Sequence, residues 1–276
     1  WHPRRGAAAH IVTGPLVLCV GGVAQNGPGL HADREAIEAA GARFAGSVTA
    51  NTVQDAHGLV ELGARRPEAW LFDALAAVSI ENPACLKSGL LPGPEHVNEM
   101  RSLLTQLRFD APGLPWVLDP VLSSSKGDEF LGEAGQRAML ELLDLGPILC
   151  PNLEEAALLA GVPVEGLIEK PDQRIHAAKI FLNRGAAAVV LKGGHGKEDP
   201  LLDLLVAQGE EPIWVAHARV KGSMRGSGCR HAAFLSALVA RGHSLEEALS
   251  GAGAWVAGEL VKRSGDDGLP PILPAL

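Results

Sequence analysis

The sequence predicts an α/β protein, with a central, mostly parallel sheet flanked by helices on both faces and a small hairpin on one edge. Three observations predict it. From Pro15 onward, short apolar runs alternate with longer amphipathic stretches about six times. Several of those runs are apolar on successive residues, as strands buried on both faces should be. Residues 200–219 break the alternation with two apolar runs joined by Gln208-Gly209-Glu210-Glu211, which is the hairpin.

Taken in order, the strands are PLVLCV from Pro15, SVTAN from Ser47, ACLKSGLL from Ala84, PWVLDPVL from Pro115, PILC from Pro147 and AAAVVLK from Ala186. Between them, apolar residues recur at intervals of three and four in stretches beginning at His31, Pro67, Pro94, Glu133, Glu154 and Asp172. Those are helices, and Gly41, Gly161 and Gly185 stand where a left-handed residue closes a helix. Two long closing helices follow the hairpin, from about Arg225 and from Ser244. Ser244 with Glu247 has the spacing of a capping box. No linker, charge block or repeat divides the chain, so one domain is expected over residues 1–276. Irregular tails are expected at about 1–14 and 264–276.

Composition limits the function. Against 24 Lys and Arg stand 32 Asp and Glu, a net charge of −8, which disfavours nonspecific binding to nucleic acid or to an anionic membrane. Aromatic residues are 4% with no Tyr, too few to stack single-stranded nucleic acid. Residues 1–10 lack an apolar signal core, and no apolar run reaches membrane-span length. The four cysteines, at 19, 85, 150 and 229, are widely spaced without a Cys-x-x-Cys pair and read as reduced thiols in a cytoplasmic protein. No pair of histidines has ligand spacing on a helix face.

The most informative segment is GSMRGSGCRHAA at 222–233. Gly226, Ser227 and Gly228 let backbone N–H groups converge at a helix N-terminus, where unpaired amides and the dipole favour an anion. Cys229 falls in the first turn, a position expected to lower its thiol pKa. The same residues also suit an ordinary turn with a small buried Cys. A second Gly-rich stretch, GGVAQNGPGLHAD at 21–33, joins the first strand to the first helix, where open α/β sheets bind ligands. Its spacing fits neither a dinucleotide fingerprint nor a P-loop. Asp33 there also suits the helix dipole alone.

Further polar residues end strands. Asp119 follows VL and precedes a polar loop, SSSKGDE at 123–129, that is a candidate cover. Asn152 and Glu155 form a capping-box pattern, and Lys192 precedes two glycines as a strand leaves the sheet. Carboxylates to organise Mg²⁺, a lysine to offset phosphate charge and amides to receive a transferring group are what phosphoryl transfer requires. No G-x-S-x-G elbow is present, which leaves acyl transfer through Cys229 as a weaker alternative.

Seven segments in order, over about residues 15–262, resemble the hydroxymethylpyrimidine and phosphomethylpyrimidine kinases of the ribokinase-like superfamily. They are GGVAQNGPGLHAD, SVTANTVQDAHG, LKSGLL, VLDPVLSSSKGD, CPNLEEA, LKGGH and RGSGCRHAA. The resemblance implies a three-layer ribokinase-like fold, usually homodimeric, and ATP-dependent, Mg²⁺-assisted phosphorylation of a hydroxymethyl group. The acceptor would be the thiamin pyrimidine, 4-amino-5-hydroxymethyl-2-methylpyrimidine, or its monophosphate. Pyridoxal kinase activity and a non-catalytic vitamin-binding protein are the alternatives.

By position, the resemblance implies that Asp33, Gln54 and the backbone at Gly21 hold the pyrimidine. Gly226, Ser227 and Gly228 would receive the γ-phosphate, and Cys229 would act as base. Lys192, Asn152 and Arg225 would contact ATP phosphates, while Asp119 and Glu155 would organise Mg²⁺ through water. The chain departs from the family pattern at Val23, which stands where an acidic residue is usual, and at Gln25, Asn26 and Leu90. The usual His-Gly-Thr-Gly-Cys-Thr reads Arg225-Gly226-Ser227-Gly228-Cys229-Arg230.

Overall fold

A computed structural model of the chain describes residues 13–25, 28–54, 57–124, 127–222 and 224–264. The expected tails lie almost wholly outside these residues, as do His2, His10 and part of the 123–129 loop. The described residues form one nine-stranded sheet in the order β3-β2-β1-β4-β5-β6-β7-β8-β9. Its strands are β1 (Leu16–Ala24), β2 (Arg43–Gln54), β3 (Leu59–Ala64), β4 (Cys85–Ser88), β5 (Trp116–Leu118), β6 (Ile148–Leu149), β7 (Ala188–Leu191), β8 (Leu201–Ala207) and β9 (Ile213–His217). The pairings from β2 through β1, β4, β5 and β6 to β7 are parallel, which bears out the expected sheet.

Alternation along β1 divides the core. Leu16, Leu18 and Val20 face one apolar cluster, with Trp70, Met100 and Phe181. Val17 and Cys19 face a second cluster, with Ile37, Leu235 and Leu249. The first is built with helices α2 (Pro67–Ala77), α3 (Pro94–Asp110), α4 (Glu133–Glu141), α5 (Leu153–Ala160), α6 (Val164–Glu169) and α7 (Pro171–Asn183). The second is closed by α1 (Leu30–Ala39), α8 (Ser227–Ala240) and α9 (Leu245–Ser264). Proline opens α2, α3 and α7, where its missing N–H costs nothing. Gly161 closes α5 at φ 67°, and the Ser244–Glu247 box forms as expected.

The sequence anticipates the β8–β9 hairpin, which pairs antiparallel with β7. It does not anticipate a second antiparallel ribbon at the other edge. There β2 extends to Gln54 and turns back as β3. Most of β3 is exposed or half-buried, so it carries no buried apolar face for the sequence to reveal. The strands expected from Ala84 and Pro115 are shorter than predicted. The chain leaves the sheet after Ser88 and Leu118, and those exits build the site. Helix α6 is a further addition, and α4 ends in a 3-10 turn over Leu142–Leu145.

Candidate active site

The carboxyl ends of β1, β4, β5 and β7 meet the N-terminus of α8, and at that junction four charged side chains stand in a row. Asp33, in the first turn of α1, is 1% exposed and accepts hydrogen bonds from Lys87 Nζ at 2.9 and 3.0 Å. Lys87 is equally buried, and its Nζ lies 3.9 Å from Asp119 Oδ2. Asp119 Oδ1 in turn accepts from Lys192 Nζ at 2.7 Å. The signs alternate, so each buried charge has an opposite neighbour that offsets its desolvation.

Burial opposes the charge on Lys87, yet Asp33 and Asp119 outweigh it and hold its pKa above the ordinary lysine value. The same balance holds Lys192 above that value, through Asp119 and Glu155. Burial also works to raise Asp119, but Lys192 and Lys87 together keep its carboxyl below the usual range. Its Oδ2 is buried without a hydrogen-bond partner. That oxygen lies within ion-pair distance of Lys87 Nζ, at 3.9 Å, without accepting a hydrogen bond from it.

The expected Gly-rich helix start is present, although the Ser227 N–H already donates to the Met224 carbonyl at 3.2 Å. Gly226 is the N-cap of α8 in the left-handed region, at φ 74°, with Ser227, Gly228 and Cys229 in the first turn. A Cβ on Gly226 would lie 2.1 Å from Pro28, so both conformation and space require glycine. A Cβ on Gly228 would come within 3.2 Å of Lys192 Nζ, which puts the lysine directly beside the amides. Lys87 Nζ stands equally close to the corresponding point on Gly89.

One electrostatic expectation is reversed. Cys229 is half-buried, and desolvation with the charge of Asp119 pushes its thiol well above the ordinary value, against the pull of Lys87. The helix N-terminus does not overcome this, because an ionised carboxylate neighbour disfavours a second anion. Cys229 is therefore a neutral thiol at rest.

Asn152 and Glu155 form the complete reciprocal box that starts α5. Asn152 Oδ1 accepts from the Glu155 N–H, and Glu155 Oε2 accepts from the Asn152 N–H, each at 2.8 Å. Burial lifts the Glu155 pKa to about 7, against Lys192 and aided by Asp119. Both residues thus lie beside the row with one side-chain oxygen already engaged. Gly21 lies on β1 against Gly89 and Leu30, at the β-bulge where the register with β2 shifts. Gln54 ends β2 and accepts a hydrogen bond from Arg225. Arg225 is thereby placed on the β2 side of the α8 terminus. Arg230 does not face the Gly226–Gly228 turn with a free charge, since it pairs with Glu35 at 2.7 Å and donates to the Arg225 carbonyl.

Lys87 is the residue that sequence reasoning overlooked. Its signal was a lysine inside the otherwise apolar Cys85-Leu86-Lys87-Ser88 strand, where a buried ammonium demands a carboxylate. The described part of the 123–129 loop is pinned to β3, since Asp128 Oδ2 accepts from Ser124 Oγ and from the Leu59 N–H.

Among the described residues no three His, Cys, Asp or Glu side chains form a metal cage. The donor set instead suits Mg²⁺, which keeps several waters and takes one or two carboxylates plus phosphate oxygens. Asp119, with its bare Oδ2, and Glu155 would hold it.

Comparison with known proteins agrees with this geometry. The phosphomethylpyrimidine kinase family profile matches residues 24–266. The chain is 32% identical over 252 residues to the hydroxymethylpyrimidine/phosphomethylpyrimidine kinase of Streptomyces coelicolor, covering 90% of each. It is 31% identical over 258 residues to the thiamine biosynthesis multifunctional protein ThiED of Corynebacterium efficiens, spanning 90% of this chain and 33% of that larger protein. Among solved structures, phosphomethylpyrimidine kinase from Clostridium difficile superposes with a TM-score of 0.75 at 22% identity, over 89% of this chain and 99% of that one. Pyridoxal kinase from Staphylococcus aureus, in complex with AMP-PCP and pyridoxal, gives 0.77 at 25% identity, over 89% and 87%. With its sheet order, its row of buried charges and a match over most of its length, the chain belongs to the phosphomethylpyrimidine kinase family.

Proposed function

We propose that this protein transfers the γ-phosphoryl group of ATP to the hydroxymethyl group of 4-amino-5-hydroxymethyl-2-methylpyrimidine or to that compound's monophosphate. The observation that carries the reading is the Asp33–Lys87–Asp119–Lys192 row meeting the amides of Gly226–Gly228. Cations and amide donors converge there on one point, with a bare carboxylate oxygen beside it. That is the arrangement that offsets charge on a transferring phosphoryl group. The likeness to the hydroxymethylpyrimidine/phosphomethylpyrimidine kinase of Streptomyces coelicolor supports the acceptor.

The γ-phosphate is received by the amides of Gly226, Ser227 and Gly228, with Lys192 offsetting its charge. Asp119 and Glu155 would hold Mg²⁺ through water, and the ion would supply positive charge to offset that of the phosphates. Asp33, whose carboxylate is taken up by Lys87, fixes that lysine beneath the acceptor, while Gly21 and Gln54 line the acceptor's edge. Asn152 shapes the phosphate side through the cap that positions Glu155. As a neutral thiol, Cys229 orients an attacking hydroxyl by hydrogen bonding. Accepting the hydroxyl proton requires the thiolate, so Cys229 acts as base only from its deprotonated form.

A second reading, pyridoxal phosphorylation, is favoured by Val23 in the acceptor loop and by the likeness to the Staphylococcus pyridoxal kinase. The open β3 edge, with Val60 61% exposed, supports a homodimer that covers it. Three buried free thiols, Cys19, Cys85 and Cys150, fit a reducing cytoplasm. No helix among the described residues is long and apolar enough to cross a membrane.

The test is turnover of purified protein with MgATP on the pyrimidine, its monophosphate and pyridoxal. A phosphorylated pyrimidine product is expected. Pyridoxal phosphate formed with the pyrimidine compounds untouched would overturn the assignment in favour of the second reading.

A further inference from the structure

Arg230 is the fourth residue of α8, where the family motif ends in threonine. It is 8% exposed, and its side chain runs back to the start of its own helix, with Nη1 3.4 Å from the point a Cβ on Gly226 would occupy. That Nη1 donates to the Arg225 carbonyl at 2.9 Å, while Nε and Nη2 donate to Glu35 Oε2 at 3.3 and 2.7 Å. Glu35 belongs to α1, and its other oxygen accepts from Arg263 of α9 at 3.1 Å. The same helix α1 supplies Asp33 to the row of charges. One helix thus ties down the row and, through Arg230, the turn beside it.

The carbonyl that Arg230 holds has one natural competitor. In a helix that began one residue earlier, the Arg225 carbonyl would accept from the Cys229 N–H. With Gly226 left-handed at φ 74°, the helix instead begins later, and its first bond runs from the Arg230 N–H to the Gly226 carbonyl at 3.0 Å. Ser227 spends its N–H on Met224, whereas the N–H groups of Gly228 and Cys229 have no acceptor among the described residues. A guanidinium on the Arg225 carbonyl satisfies that acceptor from the side and leaves both donors unspent. Arginine suits the task, because one edge of its planar fork takes a carboxylate while another nitrogen reaches a carbonyl. The threonine usual at this position is too short to reach Glu35.

We propose that Arg230, anchored by Glu35, is a positioning residue that keeps the Arg225 carbonyl from the Cys229 N–H and so holds the first-turn amides of α8 open for the terminal phosphate of the donor. The inference rests on the phosphoryl-transfer reading above. Arg230 does not touch that phosphate, because Glu35 takes its charge; it acts through the backbone of the turn. Its loss is therefore felt at the third phosphate of the nucleotide and not at the first two.

The experiment measures dissociation constants by calorimetry for ADP and for AMP-PCP, an unreactive ATP analogue, each with Mg²⁺. The proteins are wild type, Arg230→Gln, Arg230→Lys and Glu35→Gln, with thermal melts reporting on the fold. In Arg230→Gln the constant for AMP-PCP should rise about 10-fold, as for losing one hydrogen bond to a charged group, while that for ADP stays within about twofold. Arg230→Lys still carries a donor for the Arg225 carbonyl and should recover part of the difference. Glu35→Gln, on an exposed side chain, should shift the same ratio by a smaller factor, and it carries the test if Arg230→Gln does not fold. Equal losses for both nucleotides, or a lower melting temperature with neither constant changed, overturn the assignment and leave Arg230 as a brace between α1 and α8. Wild-type protein that binds neither nucleotide overturns the phosphoryl-transfer reading instead.

Discussion

Two groups of buried charge lie on either side of β7, and they are satisfied to different degrees. In the Asp33–Lys87–Asp119–Lys192 row, four elements each contribute one residue, and Asp119 Oδ2 is left without a partner. In the other group, Arg174 of α7 is fully buried and nearly saturated. It forms a two-pronged pair with Glu198 at 2.5 and 2.9 Å and donates to the carbonyls of Leu167 and Leu202. Arg219 completes the staple by donating to the carbonyls of Gly196 and Glu198. Both groups bury charge whose desolvation must be offset. One uses its charge fully within the protein and thereby fixes the 193–200 loop. The other pairs its two ammonium groups with Asp33 and Asp119 beside the α8 N-terminus and leaves Asp119 Oδ2 without a hydrogen bond. Arg174 and Glu198 turn their charge on each other and on nearby carbonyls, whereas Asp119 keeps one oxygen without a hydrogen bond.

The sharpest break of this comparison is Asp119→Asn. Turnover should fall about 10³-fold, of the order seen when one preorganised charge-stabilising group is lost from a transition state. KM for ATP should move far less. Turnover within tenfold of wild type would show that the bare oxygen is idle. Arg174→Met tests the opposite side. Leaving Glu198 without its partner should cost about 3 kcal/mol in denaturant unfolding, while kcat of the folded enzyme stays within a few-fold. If Arg174→Met instead abolished turnover without lowering stability, the saturated group would belong to the site.

How much of this was legible in the sequence follows the same division. The parallel strands could be read because β1, β4 and β7 are buried on both faces and so are largely apolar. The α8 terminus could be read because its turn is Gly-rich, and Gly226 has neither the conformation nor the room for a side chain. The β2–β3 ribbon was hidden because an exposed edge has no buried face to impose a pattern. Lys87 lay inside a motif without showing its purpose, since a lone cation acquires meaning only through Asp33, 54 positions away in the chain. The Cys229 pKa was misread for a related reason. Sequence shows the helix start beside the cysteine, but not the carboxylate of Asp119 that folding brings to it.

Asp203 on β8 joins the two groups, and its replacement should have the smallest effect. It is 6% exposed, accepts from the Gly193 N–H at 2.6 Å, and touches His217 Nε2 at 3.1 Å and His231 Nε2 at 3.4 Å. Through Gly193 it steadies the residue after Lys192, while its charge is used wholly inside the protein. Burial works to raise its pKa, but the contacts with His217 and His231 outweigh that and hold it far below the usual carboxylate range. In the unfolded chain the same carboxyl takes up its proton near pH 4, at about 3.9. Below that pH the unfolded state binds the extra proton, so the stabilisation, complete above pH 4, drains away as the solution becomes more acid. Asp203→Asn removes this one linked proton. Its unfolding free energy should fall less steeply between pH 4 and pH 3, by at most about 1.4 kcal/mol per pH unit, with little difference in slope above pH 5. Parallel acid limbs for the two proteins would mean that Asp203 is not held ionised by its histidines. The cluster beneath Gly193 would then be no more saturated than the row beside it.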